Sequence, residues 1–111
     1  MQIKKKVHLN PNDTFKLSFS ISAHSFIHIQ VLSSARIYCA LSEKRVEYDA
    51  DCCTAKAIDC KKFEMEISLD RGKYVFLVYG QYDLERDFEW ELKSEKLKFI
   101  TWKIIPFKEN K

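Results

Sequence analysis

Between the only two glycines of the chain lie Lys73-Tyr74-Val75-Phe76-Leu77-Val78-Tyr79. All but Lys73 are apolar, β-branched or aromatic, and no polar residue alternates with them. A run this short and this rich in Val, Tyr and Phe reads as a strand buried on both faces rather than as a helix. Such a strand demands neighbours that cover it. The flanking sequence supplies them as alternating strands, so the chain is expected to be all-β and organised around residues 72–80.

Period-two alternation recurs along the chain. Ile3 to Leu9 form a first, edge-like strand, which ends at the turn signal Asn10-Pro11-Asn12-Asp13. Phe15, Leu17, Phe19 and Ile21 alternate with Lys16, Ser18, Ser20 and Ser22, the cleanest half-buried strand in the sequence. Ile27, Ile29 and Val31 follow a break at Ala23-His24-Ser25, and Ser33-Ser34 is expected to turn the chain before Ile37, Cys39 and Leu41. Val46 to Tyr48 would extend a hairpin through Ser42-Glu43-Lys44. Residues 49–62 carry no clear period and are expected to be the longest loop. Phe63, Met65, Ile67 and Leu69 then alternate with Glu64, Glu66, Ser68 and Asp70, and Asp70-Arg71-Gly72 turns into the central strand.

The last third predicts a hairpin. With Ser94-Glu95 as a two-residue turn, Leu92 meets Leu97 and Trp90 meets Phe99 on the inward face, while Glu91 and Lys98 form an outward ion pair. The pattern lacks the Asn or Gly that tight hairpins favour. Together these segments predict a single domain, an antiparallel β-sandwich of two sheets with about eight or nine short strands at roughly 8–12-residue spacing, or alternatively a small β-barrel.

Composition narrows the function classes. The 111 residues suffice for one core, and 46% hydrophobic with 32% charged content is that of a folded domain. Two isolated glycines cannot build a G-x-G-x-x-G turn or a phosphate-cradling loop, so no nucleotide cofactor is expected. No stretch approaches the roughly 18–20 apolar residues of a membrane span. Basic residues at Lys4, Lys5 and Lys6 precede no apolar signal region, which with four cysteines predicts an intracellular chain carrying thiols.

The reactive residues make weak constellations. Cys52, Cys53 and Cys60, with Asp49, Asp51 and Asp59 nearby, are the candidate metal ligands, but no C-x2-C knuckle is present. No metal is expected, and a calcium loop would need a D-x-D-x-D-G order that is absent. Cys39 has the inward parity of a small buried apolar residue. His24 and His28 lie on alternating sequence rather than on a helix, and no nucleophile elbow accompanies any serine or cysteine. Glu89 and Glu91 alternate with core residues and read as solvated positions. No catalytic residue is therefore expected, and the chain reads as a non-catalytic interaction or structural module.

Partners are read from what remains exposed. In the hairpin register above, Ile100, Trp102 and Ile104 point outward as an apolar row, a candidate homodimer or protein contact. The N-terminal strand, through Ile3, Val7 and Leu9, is the alternative cover. Lys4, Lys5 and Lys6, with Lys96, Lys98 and Lys103 beside Phe99 and Trp102, suggest a face for single-stranded nucleic acid, and a carbohydrate- or nucleic-acid-binding module is the alternative reading of the chain. Nucleic acid is disfavoured because Glu85, Asp87, Glu89 and Glu91 share the predicted hairpin and cancel its field.

Overall fold

The computed structural model describes residues 2–43, 55–80 and 84–106, with residues 55–60 described as strand alone. Their strands are β1 (Gln2–Leu9), β2 (Thr14–Ile21), β3 (Ser25–Glu43), β4 (Ala55–Leu69), β5 (Gly72–Gly80), β6 (Arg86–Lys93) and β7 (Leu97–Ile105). Every pairing is antiparallel. The all-β expectation holds. The described strands number seven because β3 and β4 are long, and the expected strand at Val46–Tyr48 lies outside the described residues.

The architecture turns on β3. It runs unbroken for 19 residues but changes partner on the way. Residues 28–33 pair with β6, residues 37–43 pair with β5, and β4 follows β3 from Ser25 to Leu41. The β3–β4 pair therefore belongs to two layers. One layer continues through β6 to β1 and the other through β5 and β2 to β7, in the order β1-β6-β3-β5-β2-β7. The sandwich is one continuous sheet folded over at β3–β4, and its far edges approach each other, which gives it the character of a nearly closed small barrel.

Ser33-Ser34 is thus not a turn. Leu32 pairs with Lys62 and Ile37 with Cys60, so Ser33–Arg36 on β3 stand opposite Lys61 alone. This wide bulge bends the strand from one layer to the other. Side chains replace the ladder bonds lost there: Ser33 Oγ accepts from Ala35 N and donates to Ala35 O, and Ser34 Oγ accepts from Asp87 N at 3.0 Å. Arg86, 2% exposed, donates through its guanidinium to the carbonyls of Arg36 and Leu84. Burial pushes its pKa below the usual arginine value.

Two further expectations are corrected. Residues 55–62 are strand, not loop. Their lack of period has a cause, because β4 crosses the same corner with two register shifts and cannot keep one parity. The predicted β6–β7 hairpin does not form either. Both edges of β6 are taken, by β1 and β3, while β7 pairs with β2. Without an Asn-Gly turn, residues 94–96 cross between layers, held by Ser22 N donating to Lys96 O (2.9 Å) and Lys96 N to Ser94 Oγ (3.2 Å). Glu91 and Lys98 therefore lie in different layers, and His28 stands 3.9 Å from Glu91.

The core lies between the layers. Phe15 of β2 meets Phe88 and Trp90 of β6 at 5.2 and 5.8 Å between ring centres, and Phe63 of β4 meets Phe76 of β5 at 5.7 Å. Phe19 and Phe76 are both buried, as is Cys39. Tyr74, Phe76 and Val78 give β5 a fully buried inner face, while its outer face carries half-buried Val75 and Tyr79 beside Leu77. The expected two-sided burial is therefore complete on one side only. Asn10–Asp13 makes the expected turn, with Asp13 N donating to Asn10 O and Asn12 at φ 67°, a left-handed conformation that asparagine tolerates. Tyr74 O–H closes the Asp70–Gly72 turn by donating to Asp70 O at 2.7 Å.

Candidate functional site

Folding one sheet into two layers leaves β1 and β7 as its two far edges, while β4 pairs β3 alone among the described residues and leaves a third. In the register of β7 on β2, Ile104 stands beside Phe15, Trp102 beside Leu17 and Ile100 beside Phe19. All three β2 residues face the core, so Ile100, Trp102 and Ile104 lie on the inner face, not on the outer one expected from the hairpin. The reason is a bulge. Ile21 pairs with Leu97 and Ser20 with Phe99, which leaves Lys98 unopposed and shifts the alternation by one. Phe99 becomes the outward residue, 59% exposed.

The inner face of β7 is open because, among the described residues, no strand lies beyond it. Trp102 remains 42% exposed, as does Ile104. Trp102 meets Trp90 of the opposite layer edge to face, with ring centres 5.3 Å apart at 66°. Trp90 Nε1 is buried there with no hydrogen-bond partner among the described residues. Lys5 of β1, opposite Trp90 in register, holds its ammonium 6.0 Å from the centre of the Trp102 ring. That distance is the outer limit of a cation–π contact. The N-terminal strand thus covers the row only in part: Ile3 and Val7 pack on the core and Leu9 is buried within it.

The two far edges are protected unequally. β1 carries Lys4, Lys5 and Lys6 in succession, and Lys5 occupies a core-facing register position. Inward charges and edge lysines oppose strand addition. β7 presents Phe99, Ile100, Trp102, Ile104 and Ile105 with only Lys98 and Lys103 among them. It is the more apolar edge, and every one of its residues is exposed or half-buried.

The reactive residues are dispersed. Cys52 and Cys53 lie outside the described residues, as do Asp49 and Asp51. Cys60 sits in β4 opposite Ile37, so it belongs to a ladder and not to a loop. No three His, Cys, Asp or Glu residues are arranged to hold a metal ion among the described residues. Each histidine instead joins strands or turns through acids: His8 to Asp87 (2.7 Å) and Glu85 (3.8 Å), and His28 to Glu64 (3.8 Å) and Glu91 (3.9 Å). The hydrogen bond to Asp87, helped by charge on Asp87 and Glu85, raises the His8 pKa above 6.5.

One constellation has the connectivity of a hydrolytic triad. Ser68 Oγ lies 2.6 Å from His24 Nε2, and His24 Nδ1 lies 2.7 Å from Asp70 Oδ1. Sequence spacing did not reveal it, because the β2–β3 turn and the end of β4 meet only in the fold. Its surroundings argue against catalysis. The side chains of His24 and Asp70 are 65% and 88% exposed, so water competes for every bond that would tune the nucleophile. The group acts as a staple between the turn carrying His24 and the turn that begins at Asp70.

Fold and surface together define a small antiparallel β domain with one lysine-guarded edge and one apolar edge. No protein-family model matches the chain, and no curated protein matches it. Among solved structures it is similar to the pre-peptidase C-terminal domain of collagenase from Bacillus anthracis (TM-score 0.69, 20% identity), over 84% of this chain and 90% of that one. It is also similar to the periplasmic inhibitor of g-type lysozyme from Aeromonas hydrophila (TM-score 0.68, 10% identity), over 85% of this chain and 86% of that one. At these identities the likeness is one of fold. No described helix is long and apolar enough to cross a membrane.

Proposed function

We propose that the chain is a non-catalytic interaction module that works through β7, with a second copy of itself as partner. The observation that carries this reading is the open β7 edge, where Ile100, Trp102 and Ile104 line a face that no strand completes among the described residues. An unpaired strand offers a row of backbone donors and acceptors to an incoming strand, and exposed apolar side chains add surface to bury. The similar lysozyme inhibitor shows that a domain of this fold serves a protein-binding role, and the collagenase domain is likewise an accessory part by its description. One of these proteins is periplasmic by its description, a setting other than the intracellular one expected for this chain.

Face parity restricts the registers in which two β7 strands can pair, and Thr101 is the middle residue of the strand. A two-fold axis through Thr101 sets Ile100 opposite Trp102 and Phe99 opposite Lys103 of the second copy. An axis between Ile100 and Thr101 is excluded, because directly opposite residues of an antiparallel ladder share a face and successive residues of β7 do not. Sedimentation of the wild type and of Ile104→Lys at tens of micromolar tests the reading, with far-ultraviolet circular dichroism to confirm that the variant folds. A wild-type dimer that gives way to a folded monomer supports it, and a monomeric wild type refutes it.

A further inference from the structure

The two layers differ in charge in a way that the strand sequences hide. β2, β5 and β7 contain no aspartate or glutamate, yet they carry Lys16, Lys73, Lys98 and Lys103, with Arg71 at the mouth of β5. None of these five cations makes an ion pair among the described residues. The ion pairs seen lie elsewhere: Lys4 with Glu89, Lys62 with Glu64, and the three histidines with their acids. The acidic strand β6, expected to neutralise β7 as its hairpin partner, lies in the opposite layer. The acids nearest in sequence to Arg71, Lys73 and Lys98 are Asp70, held by His24, and Glu95 in the connection before β7, while Asp13, buried, precedes Lys16 by three residues.

A groove of about 670 Å³ opens on this face. Its floor carries the hydroxyls of Ser18 and Ser20, and its walls are Arg71, Lys73, Lys98 and Phe99. Ser20 pairs with Lys73 on one side and with Phe99 on the other, which sets a cation, a hydroxyl and an exposed ring in one row across three strands. The bulge at Lys98 adds a second cation beside Phe99.

We infer that this groove binds an acidic polysaccharide. The cations meet carboxylates or sulfates, the serines exchange hydrogen bonds with sugar hydroxyls, and Phe99 lies against the apolar face of a pyranose ring. A single-stranded nucleic acid would also meet the charge, but it offers few hydroxyls to the serine floor and asks for more than one stacking ring. The groove shares Phe99 with β7 but takes its outer face, opposite to the inner row Ile100, Trp102 and Ile104 on which the pairing rests.

Affinity electrophoresis and calorimetry on alginate, neutral dextran and poly(dT) test it, each variant being checked for an unchanged melting temperature. Alginate binding that weakens with salt is expected, with none to dextran. Lys73→Glu and Lys98→Glu should each weaken it by about tenfold or more, and Phe99→Ala by about threefold or more. Lys4→Glu, on the other layer, should weaken it far less than Lys98→Glu. No binding to alginate, tighter binding to poly(dT), equal loss from Lys4→Glu, or no loss from either charge reversal or from Phe99→Ala would each overturn the inference.

Discussion

Trp90 and Trp102 meet edge to face across the two layers, one ring 1% exposed and the other 42%. They close the row Lys5–Trp90–Trp102–Leu17 at the point where the folded sheet comes nearest to sealing into a barrel. The same contact leaves the row incomplete, because β7 has no further partner strand among the described residues. Stability and interaction thus meet at one pair of side chains.

Truncating the two rings should have unequal effects. Trp90→Ala removes a fully buried ring and is expected to cost about 3–5 kcal/mol. Trp102→Ala, from a half-open site, should cost about 1–2 kcal/mol. A double-mutant cycle read by chemical denaturation should find about 0.5–1.5 kcal/mol of coupling. Equal losses would place Trp102 inside the core and remove it from the surface.

Arg86 should matter more than any other described cation to stability. It fixes the corner of β3 to the start of β6 through two backbone carbonyls. Arg86→Met keeps much of the bulk but leaves those carbonyls without a donor, a loss of about 2–3 kcal/mol. Thermal unfolding of Arg86→Met beside Lys93→Met, an exposed control, measures the difference.

His8 should make part of the stability pH-dependent. Its folded pKa is raised by Asp87, so its contribution is complete below 6.5, the ordinary histidine value, and is lost as pH rises through the folded value. The melting-temperature gap between wild type and Asp87→Asn is therefore expected to be wider in acid than at alkaline pH. A gap that is constant across that range contradicts the assignment.

The Ser68–His24–Asp70 staple should show no esterase activity on p-nitrophenyl acetate beyond that of an exposed imidazole. Ser68→Ala should change stability by about 1 kcal/mol or less, since exposed polar pairs contribute little. Turnover abolished by Ser68→Ala would overturn the non-catalytic reading.

Much of this fold is visible in parity alone. Phe15 to Ile21 and Tyr74 to Val78 announce their strands because each keeps one face in the core along its whole length. The layers are harder to read, since alternation says which residues share a face but not which strands are neighbours. Leu92–Leu97 and Trp90–Phe99 matched in parity, yet β6 had other partners for both edges. One bulged residue, Lys98, then inverted the faces of Phe99 to Ile104. Residues 55–62 lost their period at a corner for the same reason. The row Ile100, Trp102 and Ile104 was legible as an unsatisfied apolar surface, although its orientation was not.

Backbone amide exchange on β7 at two protein concentrations tests the central claim most directly. In the monomer, amides of β7 that point away from β2 have no strand beyond them among the described residues and should exchange quickly, like those on the free edge of β1. On raising the concentration, the account predicts slower exchange on β7 centred on Thr101, with β1 unchanged. Exchange on β7 that does not vary with concentration, or protection that grows on β1 instead, would contradict it.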